Sequence, residues 1–71
     1  MQQIDFQLRG EYIALNDLLK LTGVSDSGGA AKALVADGVV SVDGQVESRK
    51  TAKIRAGQVV ALTGVRIRVL A

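Results

Sequence analysis

The sequence predicts a small α+β domain: one strand, two short helices, then several strands. Three observations carry this. Apolar residues alternate with polar ones at Ile4, Phe6 and Leu8 and again at Val65, Ile67 and Val69, the period of half-buried strands. Between them, residues 16–38 carry helix start and stop signals, Asn16 with Gly23 and Ser27 with Gly38. The chain has 71 residues, 48% hydrophobic and 23% charged, which suits one globular domain over residues 1–71.

The first strand spans residues 3–8, with Ile4, Phe6 and Leu8 inward, and Arg9-Gly10 ends it. Asn16 is placed to cap a two-turn helix, because its side-chain oxygen can accept a first-turn N–H. Asp17 then faces the positive end of the helix dipole, Lys20 the negative end, and Gly23 supplies a left-handed stop. A second helix starts from Ser25 or Ser27 and stops at Gly38. At 100° per residue, Ala30, Ala31, Leu34 and Val35 form its inner face, and Gly28 and Lys32 share one flank. After Gly38 the period becomes two. Val40, Val42 and Val46 are expected to point one way across an Asp43-Gly44 hairpin turn. Val59-Val60-Ala61-Leu62 reads as a buried strand, Thr63-Gly64 as a turn, and residues 65–69 as a last strand able to pair with the first.

Composition excludes several function classes. There is no Cys and no His, which removes disulfides, thiol nucleophiles, histidine-based triads and the usual zinc and haem ligands. The acids before Glu47 are scattered singly and read as solvated surface, with no carboxylate pair and no magnesium site. No phosphate-binding Gly-Lys-Ser/Thr loop occurs. The chain is therefore expected to be no enzyme and to need neither metal nor cofactor. Its apolar runs fall short of the roughly 20 residues of a membrane span, and its first residues do not read as a secretory signal. A cytoplasmic location without membrane contact is expected.

Charge is divided unevenly. Residues 1–46 hold three cations and six acids, a net −3. Residues 47–71 hold Arg49, Lys50, Lys53, Arg55, Arg66 and Arg68 against Glu47 alone, a net +5. Four of these cations fall between residues 49 and 55, in a polar stretch that follows the hairpin. Clustered Lys and Arg attract phosphates by Coulomb force and by counterion release. The bland reading is a solvated loop whose cations serve solubility. Arg66 and Arg68 either extend the positive surface or guard a strand edge.

The ordered set of Leu15-Asn16-Asp17-Leu18-Leu19-Lys20, Gly23, Ser27 through Lys32, Leu34-Val35 and Asp37-Gly38-Val39-Val40-Ser41-Val42-Asp43-Gly44 resembles a known pattern. It is similar to the RNA-binding domain named after bacterial small-subunit ribosomal protein S-four. Residues 53–60 look like the closing element of that domain, and coverage runs roughly from residue 12 to 62. Length and the Glu47-Ser48-Arg49-Lys50 insertion are similar to the small stand-alone bacterial YbcJ-like members. The resemblance implies an αL-type RNA-binding fold, two short N-terminal helices packed on a small, mainly antiparallel sheet. It implies structured RNA as the partner, with ribosomal and transfer RNA as candidates and ribosomes or RNA metabolism as the setting. Carried over by position, Lys32, Arg49, Lys50, Lys53 and Arg55 are the expected RNA-binding residues. Gly28 departs from the pattern, standing where many relatives carry Arg beside Lys32.

Aromatic content narrows the kind of RNA. Phe6 and Tyr12 are the only aromatics; Phe6 is expected in the core, and Tyr12 either packs or contacts a ligand. Such a chain cannot build the multi-ring platform of single-strand readers. Recognition by backbone shape and about four phosphates follows, with a log–log salt slope of roughly −3 to −4. The rival reading is a small protein–protein interaction adaptor with no RNA role. A ubiquitin-like sulfur carrier would need a Gly-Gly tail, whereas this chain ends Val69-Leu70-Ala71.

Overall fold

The structure is a computed structural model that describes residues 2–71. In chain order it contains β1 (Gln2–Gln7), β2 (Ile13–Ala14), α1 (Leu15–Leu21), α2 (Gly28–Ala36), β3 (Ser41–Val42), β4 (Gln45–Val46), β5 (Lys53–Ile54), β6 (Val59–Leu62) and β7 (Val65–Leu70). The two helices thus follow the first two strands. The main sheet has the order β1-β7-β6-β3-β4, and β2 and β5 form a separate two-stranded ladder. The sheet is mainly antiparallel. Its exception is β1 on β7, the first and last strands, which run parallel with Ile4 opposite Ile67. Among the described residues, no helix is long and apolar enough to cross a membrane.

Side-chain alternation decides which face is covered. Ile67 and Val69 of β7 and Val60 of β6 are buried, while Arg66 and Arg68 face outward. Against that inner face pack Leu15, Leu18 and Leu19 of α1 and Ala31 and Val35 of α2. These helix positions recur at three and four residues, so each helix buries one stripe. Full burial of side chains this size is worth about 1.5–3 kcal/mol each, which makes these few residues the main support of a thin core.

Local signals set the ends of the elements. The Ser27 hydroxyl accepts a hydrogen bond from the Ala30 N–H at 3.1 Å, the expected cap of α2. At the end of α1, Gly23 takes a left-handed φ of 79°; its N–H reaches the Lys20 carbonyl and that of Val24 the Leu19 carbonyl, closing a Schellman motif. Asp43 and Gly44 both have positive φ, 50° and 86°, as a two-residue type I′ hairpin turn requires.

Three local expectations are corrected. Asn16 does not cap α1; the capping position is Ala14, and Asn16 lies in the first turn with its Oδ1 buried and unpartnered. The reason is non-local. The Leu15 N–H donates to the Ala52 carbonyl (2.9 Å) and the Asn16 N–H to the Lys50 carbonyl (3.0 Å), so a loop satisfies the helix end and no side chain is needed. Ala30 is exposed, because the buried stripe of α2 centres on Ala31 and Val35. Val46 is 68% exposed, because the two-residue turn pairs it with Ser41 and not with Val42, on the outer face of the sheet.

Candidate nucleic-acid interface

The basic stretch is shaped by its two buried residues. Ala52 and Ile54 point into the core, so Thr51, Lys53 and Arg55 between and beside them are exposed. Pairing of Ile54 with Ile13 and of Lys53 with Ala14 fixes one end of this stretch to β2. The Ala52 and Lys50 carbonyls fix its other end to the start of α1. The cations therefore ride on a backbone tied down at both ends and not on a free loop. Arg49, Thr51, Ala52 and Lys53 line a cavity of about 420 Å³.

The cations differ in how free they are. Arg49 is exposed, but its Nε and Nη2 both donate to the Glu47 carboxylate, each at 3.1 Å, and Glu47 also accepts the Arg49 backbone N–H. The side-chain hydrogen bond from Arg49 holds the Glu47 carboxyl below its ordinary value and raises that of Arg49. The charge of Arg49 is thus offset by its neighbour. Lys53 keeps its charge and stands over the Tyr12 ring, its Nζ 5.0 Å from the centroid, a cation–π contact. Lys50 and Arg55 are exposed and form no ion pair among the described residues.

Lys32 lies on α2, exposed, on the flank it shares with Gly28. A Cβ built on Gly28 meets nothing within 4 Å, so this flank is open. The opposite flank of α2 borders a cavity of about 330 Å³ whose lining includes Asp26 and Asp37. The cation of the helix therefore lies away from the side bordered by Asp26, which precedes α2, and Asp37, which caps its end. Among the described residues, no hydrogen bond or ion pair joins Lys32 to residues 49–55.

Elsewhere the cations are engaged otherwise. Arg68 sits opposite Asp5 across the parallel β1/β7 pair and forms a two-pronged hydrogen bond to it, both arms 3.0 Å. That bond lowers the carboxyl of Asp5 and raises the guanidinium of Arg68. Asp43 accepts the Val59 N–H at 2.9 Å, tying the hairpin to β6. Asp5 and Asp43 are therefore structural partners and not merely solvated acids.

Sequence reasoning missed two features here. The Glu47–Arg49 pair had a local signal, an acid two residues from a cation. The Tyr12–Lys53 stack had none, since it depends on the β2/β5 register across 40 residues of chain.

The geometry has counterparts among known proteins. A family model of the S4 domain matches residues 6–70. YbcJ of Escherichia coli (strain K12) is 52% identical over 60 residues, 84% of this chain and 86% of that protein. YbcJ of Shigella flexneri matches to the same extent. The solution structure of E. coli YbcJ, described as revealing an αL motif involved in RNA binding, superimposes with a TM-score of 0.77 at 46% identity. That match covers 100% of this chain and 91% of that one. The 30S ribosomal protein S4e from Thermoplasma acidophilum matches with a TM-score of 0.61 at 26% identity, over 82% of this chain and 31% of that one. On the strength of that match over residues 6–70 and of its likeness to YbcJ, the chain belongs to the S4 domain family.

Proposed function

We propose that this protein binds structured RNA, gripping the sugar–phosphate backbone with Lys32, Lys50, Lys53 and Arg55, and with Arg49 to the extent that Glu47 releases it. The observation that carries this reading is the anchored basic segment. Four cations between residues 49 and 55 sit on backbone held by β2 and by the start of α1, and among the described residues the acid ion-paired within this set is Glu47, to Arg49. A backbone already held in place loses little further freedom when its cations meet a fixed array of phosphates, whereas that of a mobile loop must be ordered first. The S4 family membership and the described RNA-binding role of YbcJ's αL motif support the same reading.

The protein acts as a binding module in the cytoplasm and not as an enzyme. Ribosomal and transfer RNA are the candidate ligands, because both offer rigid duplex arms whose phosphates present a regular ridge. Affinity comes from phosphates, with little base discrimination along the duplex.

Charge reversal tests this. Lys50→Glu with Lys53→Glu should weaken binding to a hairpin RNA at least tenfold in fluorescence anisotropy. Arg66→Glu, on the outer face of β7, should leave it within about twofold. Equal affinity for all three proteins would move the interface elsewhere, and an absence of RNA binding by the unaltered protein would favour a protein–protein adaptor.

A further inference from the structure

A second site adjoins the basic segment. Phe6, Leu8, Tyr12, Ile13 and Leu21 line a groove of about 340 Å³, with Gln7 and Arg9 as its polar members. Two of its walls are more exposed than their chemistry favours, Tyr12 at 46% and Leu21 at 66%. Lys53 is not part of the lining; it holds the Tyr12 ring from outside the groove. The groove is thus an apolar slot with two aromatic residues, Phe6 and the more exposed Tyr12, with Arg9 in its lining and the Lys53 ammonium over the Tyr12 ring. Among the described residues, no carboxylate lines it.

We infer that this groove takes one unpaired nucleobase, extruded from the RNA whose backbone lies on the basic segment. The inference rests on the RNA-binding reading and adds to it a point of base contact. Three features select this occupant. A base offers a flat π-face to Tyr12 and apolar edges to Leu21 and Ile13. Its flanking phosphates are anions, matching the two cations at the groove, Arg9 in the lining and Lys53 over the Tyr12 ring. At about 340 Å³ the groove is near the lower end of ligand-site volumes, roughly 300–1,000 Å³, which suits a single nucleoside and not a run of bases. Lys53 joins the two sites, since it belongs to the basic segment and also touches the aromatic wall. The protein then prefers a duplex with a bulged or terminal unpaired nucleotide over an unbroken one.

The test compares two hairpin RNAs that differ by one bulged adenosine. The protein should bind the bulged hairpin about tenfold more tightly, the scale of one base–aromatic stack. Tyr12→Phe should keep that ratio and Tyr12→Ala should bring it to one. Leu21→Glu, at an exposed position outside the buried core, should also lower it by placing an acid in the slot. Tyr12 is the only tyrosine, so its ring signals in NMR spectra are unambiguous. They should move upfield with the bulged hairpin and stay in place with the unbroken one. Tight binding of both hairpins at equal affinity, with the Tyr12 ring unmoved, would overturn the nucleobase site and leave the RNA reading intact. Failure to bind either hairpin would overturn both.

Discussion

Glu47→Gln removes the carboxylate that, among the described residues, is ion-paired to the proposed interface. The change keeps a side-chain oxygen able to accept the Arg49 backbone N–H, so the local turn is retained, but it removes the charge that holds Arg49. Five cations are assigned to the interface, and in the native protein Arg49 is already compensated, leaving four to displace counterions from the RNA. At about 0.9 counterions per phosphate contact, four contacts give a log–log salt slope of about −3.6, and five give about −4.5. Anisotropy titrations of a labelled hairpin at four or five salt concentrations resolve that difference. The Gln variant should bind more tightly at low salt and lose its advantage as salt rises. Arg49→Gln in the native background should change the slope much less than Lys50→Gln. An unchanged slope in Glu47→Gln, or equal losses for Arg49→Gln and Lys50→Gln, would refute the reasoning that the ion pair withholds Arg49.

Gly28→Arg should strengthen RNA binding several-fold and steepen the slope by about 0.9 more, because the position is open and shares the Lys32 flank. The same change should leave the melting temperature nearly unchanged, because Gly28 is the first residue of α2, outside the helix interior where glycine is costly, and a cation there opposes the helix dipole. Leu18→Ala, at a residue with no exposed surface, should cost about 2–5 kcal/mol in urea unfolding, a large share of the stability of a domain this size. Acid should destabilise the fold through Asp5 and Glu47, whose folded carboxyls are held below 3.8 and 4.5 by hydrogen bonds from Arg68 and Arg49. A lowered folded value gives stability that is present above the unfolded value and lost as pH falls through the folded one. Melting temperatures should therefore drop below about pH 4.5, and Asp5→Asn with Glu47→Gln should flatten that drop.

Much of the fold was legible because its signals are local. Alternation placed β1 and β7, Ser27 and Gly23 marked helix ends through hydrogen bonds within one turn, and Asp43-Gly44 fixed a hairpin whose φ values few other residue pairs adopt. What sequence missed came from contacts between distant segments. Asn16 reads as a cap until the carbonyls of Lys50 and Ala52 arrive to take the helix N–H groups. Val46 reads as an inward strand residue until the turn register places it opposite Ser41. The cations of the proposed interface were visible as a run of residue types, but not their states. Arg49 held by Glu47 and Lys53 standing on Tyr12 depend on side-chain geometry that no spacing encodes.

Amide chemical shifts of the 15N-labelled protein, followed as a structured hairpin RNA is added, bear most directly on the proposed interface. The account predicts that the largest changes fall on residues 49–55 and around Lys32, while Arg66, Arg68 and their neighbours on the outer sheet face stay near their free positions. Changes concentrated on that outer face, with residues 49–55 silent, would contradict it.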